Sequence, residues 1–113
     1  MLYVSIILFL YAALSGLIMV VGIFRGTKPW VPLAVGHGIL AATALVLALL
    51  VAIAPGVAAI VKYGVAVLVL AALGGFFLLS FNLRGKPHPR VVVVLHALLA
   101  VGGIGCLAFA LLY

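Results

Sequence analysis

Residues 84–103, RGKPHPRVVVVLHALLAVGG, appear a second time in altered form at residues 25–44, RGTKPWVPLAVGHGILAATA. A shift of 59 residues (84 − 25) aligns the two copies without a gap, pairing the opening Arg-Gly of each copy and placing His37 on His96. In a chain that is 71% hydrophobic, matches among Ala, Leu and Val carry little weight. The Arg-Gly pair and the histidine therefore decide the interpretation. They predict two copies of one helix–loop–helix unit, each with one histidine at an equivalent depth.

The composition excludes an ordinary water-soluble domain, since the 113 residues include no Asp or Glu at all. Four apolar runs are each near the roughly 20 residues that a helix needs to cross a bilayer. They are Leu2–Phe24, Val31–Ala54, Ala58–Leu83 and Val91–Tyr113. The first run lacks a basic leading segment and a small-residue cleavage site, which favours a retained helix over a signal peptide. The predicted fold is one all-α integral membrane domain over 1–113, an up-down bundle of four transmembrane helices formed by tandem duplication of a two-helix hairpin (repeats 1–54 and 60–113).

The placement of the positive charge indicates orientation more than it indicates a nucleic-acid partner. Five of the six cations that give the net charge of +6 lie between runs one and two or between runs three and four. They are Arg25, Lys28, Arg84, Lys86 and Arg90. By the positive-inside rule, loops 25–30 and 84–90 face the cytoplasm and both termini lie outside. We expect a bacterial inner-membrane location, contact with the lipid bilayer, and no nucleic-acid binding.

The two aligned histidines are the candidate site, because ionisable side chains inside a membrane are costly and usually mark function. His37 and His96 each lie one to two turns inside the cytoplasmic end of their helix, below a stripe of small residues. Two tandem hairpins are expected to be related by a two-fold axis along the membrane normal, which would make the histidines face each other. A neutral imidazole that only hydrogen-bonds between helices is the structural alternative.

Opposed imidazoles on facing helices can bind a haem iron from both sides, and helical bundles commonly build cofactor sites this way. We therefore predict one haem b with His37 and His96 as iron ligands. Small residues would leave room for the macrocycle, namely Ala41, Ala44, Ala100 and Gly103. Cations at the cytoplasmic boundary would bind the propionates, namely Arg25, Arg84, Lys86 and Arg90. Two imidazoles are too few ligands for a closed zinc site. The single cysteine, Cys106, is predicted to be a small buried hydrophobic residue.

The architecture and the His37/His96 pair resemble four-helix membrane cytochromes of the cytochrome b561 kind, in which paired histidines on different helices hold haem. Those proteins usually hold two haems through four histidines, whereas this chain has one intramembrane pair. The size and helix count also resemble the small multidrug resistance transporters, which depend on a membrane-embedded glutamate that this chain lacks.

Three functions stay open from the sequence. The first is a single-haem electron-transfer protein that reacts with quinol or with a partner complex. The second is a non-catalytic accessory or assembly subunit of a membrane complex, and the third is a small transporter that uses His37 and His96 for proton coupling.

The spacing of small residues on the first and third helices would allow a homo-oligomer. His88, which has no counterpart in the first repeat, is placed at the interface rather than among the ligands, and no catalytic residue is identified.

Overall fold

The computed structural model describes all residues 1–113 and contains only helices. They are α1 (Leu2–Phe24), α2 (Val31–Ala52), α3 (Ala59–Leu83) and α4 (Arg90–Leu112). Each is long and apolar enough to cross a membrane, judged by length and composition. The all-helical prediction is confirmed, and every predicted helix end lies within two residues of the observed one.

α1 and α3 end in the same backbone motif, which explains the glycine of the repeated Arg-Gly pair. Gly26 and Gly85 adopt the left-handed conformation with φ of +85° and +68°. In both motifs the next N–H, from Thr27 or Lys86, bonds to a carbonyl five residues earlier at 2.9 Å. This is the Schellman arrangement, in which glycine ends a helix without the steric cost of a Cβ.

The connections after α1 and α3 lie at the same end of the bundle and contact each other. The ammonium group of Lys28 donates a hydrogen bond to the carbonyl of Gly85. We call this end, formed by residues 25–30 and 84–89, the loop end. The opposite end carries both termini and the turn between α2 and α3, where Gly56 has φ of +77°.

The four helices pack as a ring in chain order, with each helix beside the next and α4 beside α1. The α1–α2 and α3–α4 contacts are the most extensive and the α1–α4 contact is the least extensive. The main apolar cluster fills the half of the bundle away from the loop end. Its members are Ile6, Phe9, Ala44, Ala48, Ala52, Val61, Val65, Leu68 and Leu107. The half near the loop end is therefore less tightly filled.

Small residues bring α3 and α4 close together within this cluster. A Cβ added at Gly103 would lie 2.5 Å from Cγ of Leu68 and 3.0 Å from the carbonyl oxygen of Gly64. One added at Gly64 would lie 2.8 Å from Cβ of Cys106. Close backbone approach at small residues is the usual packing mode of membrane helices. Gly103 and Cys106 therefore belong to a helix crossing.

Candidate functional site

His37 of α2 and His96 of α4 meet across the centre of the bundle. Their ring centroids are 6.2 Å apart and their planes cross at 77°. α2 and α4 are diagonal in the ring of helices, so the two side chains approach each other across the interior of the bundle. The structure thus brings together the two residues that the sequence repeat aligns.

Each histidine is held by a backbone carbonyl of the other helix in its own hairpin. Nδ1 of His37 lies 2.7 Å from the carbonyl oxygen of Ala12, and Nδ1 of His96 lies 2.7 Å from that of Ala71. A carbonyl can only accept, so Nδ1–H is the donor in both bonds. In the neutral ring this leaves the lone pair on Nε2. Neither Nε2 atom has a hydrogen-bond partner in the protein.

Glycines one turn beyond these carbonyls let the rings approach α1 and α3. A Cβ at Gly16 would lie 3.0 Å from Cε1 of His37, and a Cβ at Gly75 would lie 3.0 Å from Cε1 of His96. Each of these glycines therefore makes room for an imidazole.

Ser15 is the main difference between the two histidine environments. Its hydroxyl donates to the carbonyl of Ala12 at 2.8 Å and lies 3.2 Å from Nδ1 of His37. The equivalent position on α3 is Gly74, which has no hydroxyl. His37 therefore has one more polar neighbour than His96.

A cavity of about 370 Å³ surrounds the histidines and extends from the loop end, at Asn82 and His88, past His96 to Ile104. Its wall is mainly apolar and includes residues of all four helices. The small residues that line it are Ala13, Gly16, Ala34, Gly75, Ala97 and Ala100. Of the small residues predicted to make room for a cofactor, Ala100 lines the cavity. Ala41 and Gly103 do not, and Ala44 is fully buried in the apolar cluster.

The cavity has polar residues at its loop end, Asn82 and His88. Asn82 is only 9% exposed, and its Nδ2 has no hydrogen-bond partner. His88 is half-buried, and this burial lowers the pKa of its imidazole, although the nearby carbonyl of Leu78 acts in the opposite direction. Asn82 is not among the site residues predicted from the sequence, and His88 is predicted to lie at the interface. The sequence does contain a signal for Asn82, because it lies seven residues after Gly75 and therefore on the same face of α3.

The predicted propionate-binding arginines lie at the rim of the loop end and outside the cavity wall. The guanidinium of Arg84 lies 4.8 Å from the ring centroid of Phe81, and that of Arg90 lies 5.2 Å from the ring of Phe24. Arg84 also donates from Nε to the carbonyl of Ser80 at 3.1 Å. Arg25 is exposed. None of the three contributes to the cavity lining.

No group of three or more His, Cys, Asp or Glu side chains converges in the structure. Comparison of the chain with protein-family models, curated proteins and solved structures finds no match.

Proposed function

We propose that the chain is an integral membrane protein with α1 to α4 as its transmembrane helices. Only 17 of 113 residues are buried, while large apolar side chains face outward along all four helices. An apolar surface of this extent is costly in water and favourable in lipid. The positively charged loop end faces the cytoplasm in this proposal, and both termini lie outside.

We also propose that the bundle arose by tandem duplication of a hairpin. The support is the repetition of local geometry at the 59-residue shift. Helix ends, histidine hydrogen bonds and ring-contacting glycines all recur at that shift, and the corresponding distances agree at 2.9 Å, 2.7 Å and 3.0 Å. Composition alone would give chance matches among aliphatic residues, but it would not reproduce a buried polar contact at corresponding positions.

The function that the site supports best is the binding of one haem b, whose iron His37 and His96 would hold. The observation that carries this proposal is the pair of Nδ1–H bonds to carbonyls. Ligating histidines commonly donate their other ring N–H in this way, which fixes the ring orientation and makes Nε2 the ligand atom. In this proposal the two bonds orient both rings before the iron binds.

The distance between the ring centres is also the distance expected for one metal ion on the line between them. Two metal–imidazole bonds of about 2.0 Å, with about 1.1 Å from each nitrogen to its ring centre, place the centroids about 6 Å apart. The observed separation is 6.2 Å. The adjoining cavity of about 370 Å³ lies in the range of about 300–1,000 Å³ of ligand pockets. A whole macrocycle would also occupy the α1–α4 side, where helix contact is least extensive.

A bound haem would supply one-electron chemistry. The protein's part is to orient the imidazoles through the carbonyls of Ala12 and Ala71 and to exclude water with an apolar wall. A single pair serves one haem, so we propose electron exchange with a membrane-soluble quinol or a partner protein rather than transfer across the whole membrane.

The haem-to-protein ratio of the purified protein tests this proposal. Protein produced with an ample haem supply should carry one haem per chain, and His37→Leu or His96→Leu should carry far less. Thr43→Ala is the matched control, because its exposed hydroxyl bonds only to Ile39 of its own helix. Circular dichroism establishes that each variant is helical. A colourless, folded wild-type protein under these conditions would refute haem binding.

A second candidate is an accessory subunit in which the histidines only join helices. It is favoured by the same hydrogen bonds, because each connects the two helices of one hairpin and these are the most extensively packed pairs. For such a subunit, both histidine variants would lose stability and the wild type would bind no haem at any concentration. Saturable haem binding by the wild type would exclude this candidate.

A further inference from the structure

The loop end of the cavity contains a polar group whose hydrogen-bonding capacity the protein does not satisfy. The amide of Asn82 is about nine-tenths buried, and no protein atom accepts from its Nδ2. Buried polar groups nearly always have a partner, and an unpaired one costs about 1–3 kcal/mol. The expected partner is an oxygen acceptor that is absent from the chain itself.

The position of this amide indicates what kind of ligand would supply the acceptor. Asn82 lies seven residues beyond Gly75 on α3, which corresponds to about 10 Å along the helix axis. Gly75 contacts His96, so Asn82 lies at the loop end of the cavity and the histidine pair lies deeper in it, while the lining continues past His96 to Ile104. The wall between them is mainly apolar. A matching ligand has a metal-binding centre, an apolar body and one edge that carries oxygen.

His88 adds a second nitrogen-bearing side chain at the same end. It reaches the cavity from the connection between α3 and α4 and lies in the wall together with Asn82. The arginines expected to bind acidic groups contact the rings of Phe24 and Phe81 instead. The donors that line the cavity at its loop end are therefore an amide and an imidazole.

We propose that Asn82 and His88 bind a carboxylate at the edge of the ligand held by His37 and His96. This inference rests on the proposed function, in which the carboxylate is a haem propionate. In this proposal an oxygen of the carboxylate accepts from Nδ2 of Asn82, the donor that no protein atom satisfies.

A comparison of haem with its dimethyl ester tests the inference, because esterification removes the charge and leaves the macrocycle unchanged. Each is titrated into the haem-free, full-length protein in detergent. The wild type should prefer haem over the ester, and Asn82→Leu or His88→Leu should reduce that preference about tenfold or more, as expected for a hydrogen bond to a charged group. Lys62→Ala is the matched control, because it removes an exposed cation near the start of α3, at the opposite end of the bundle.

Asn82→Asp provides a second variant that does not depend on the tolerance of leucine at this position. Its carboxylate should repel haem while leaving ester binding near the wild-type level, and ester binding also reports that the variant is folded. Equal preference for haem in the wild type, Asn82→Leu and Asn82→Asp would overturn the inference and leave haem binding intact. Binding of neither compound by the wild type would overturn the proposed function as well.

Displacement of haem by a short-chain quinone in the wild type but not in Asn82→Leu would assign Asn82 to a quinone carbonyl and would overturn the carboxylate assignment.

Discussion

Two adjacent glycines on α3 provide a stringent test of how the imidazoles are held. A Cβ at Gly75 would lie 3.0 Å from Cε1 and 3.6 Å from Nδ1 of His96. A Cβ at Gly74 would lie 3.7 Å from Cβ of the same histidine, which is ordinary van der Waals contact. Gly75→Ala should therefore displace the ring, whereas Gly74→Ala should leave it in place.

The magnitude follows from two opposing terms. Replacing a helical glycine by alanine stabilises a helix by about 1 kcal/mol, and this gain is common to both variants. Displacement of the ring in Gly75→Ala also weakens the 2.7 Å bond from Nδ1 to Ala71. Interhelical hydrogen bonds of membrane proteins average about 0.6 kcal/mol, with a maximum near 1.7. Gly75→Ala should thus be less stable than Gly74→Ala by about 0.6–1.7 kcal/mol.

The assay is unfolding by SDS in mixed micelles, followed by circular dichroism, with the imidazole nitrogens of His96 observed by NMR. Gly75→Ala should show the lower free energy of unfolding and an altered Nδ1–H resonance. Gly16→Ala should alter the Nδ1–H resonance of His37 in the same way, because its Cβ would lie 3.0 Å from Cε1 of that ring. Equal stability of Gly74→Ala and Gly75→Ala, with unchanged imidazole resonances, would refute the reasoning.

Three further substitutions test the packing of the bundle by the same unfolding measurement. Gly103→Ala should destabilise the protein by about 1–3 kcal/mol, because the new Cβ would lie 2.5 Å from Cγ of Leu68. Ser5→Ala should cost about 0.6–1.7 kcal/mol, because it removes a fully buried bond of 2.8 Å to the carbonyl of Ala44. Gly85→Ala should cost about 1–2 kcal/mol, because its φ of +68° disfavours a residue with a Cβ.

Each of these predictions has a matched control. Gly105→Ala should not destabilise α4, because nothing lies within 4 Å of the added Cβ. Thr43→Ala should have little effect, because its exposed hydroxyl bonds within its own helix. Gly85→Asn should retain more stability than Gly85→Ala, because asparagine tolerates the left-handed conformation better than alanine does. A control that loses as much stability as its test variant would contradict the corresponding prediction.

The sequence predicts the helices and the histidine pair because both depend on strong, local signals. Apolar runs separated by Pro, Gly and cations define the helix bounds. The equivalent positions of His37 and His96 in the 59-residue repeat predict that the two side chains lie close together in the bundle. The function of Gly85 as a helix-ending residue is also readable from the Arg-Gly pair, since glycine is the usual residue after a helix C-terminus.

The lining of the cavity could not be read from the sequence in the same way. All four helices are apolar on every side, so hydrophobic periodicity does not distinguish the inward face from the outward face. Ala100 and Gly103 are both small and lie on the same stripe, yet one lines the cavity and the other contacts Leu68 at the α3–α4 crossing. Asn82 resembles an interfacial residue in sequence, and its burial depends on the packing of all four helices around it.

The absorption spectrum of the purified protein, oxidised and then reduced with dithionite, tests the central claim most directly. If His37 and His96 hold one haem from opposite sides, the reduced wild type will show the sharp α and β bands of a low-spin haem. His37→Ala and His96→Ala will each lose these bands while remaining helical. A wild-type spectrum without haem absorption, or low-spin bands that persist in both variants, would contradict the account.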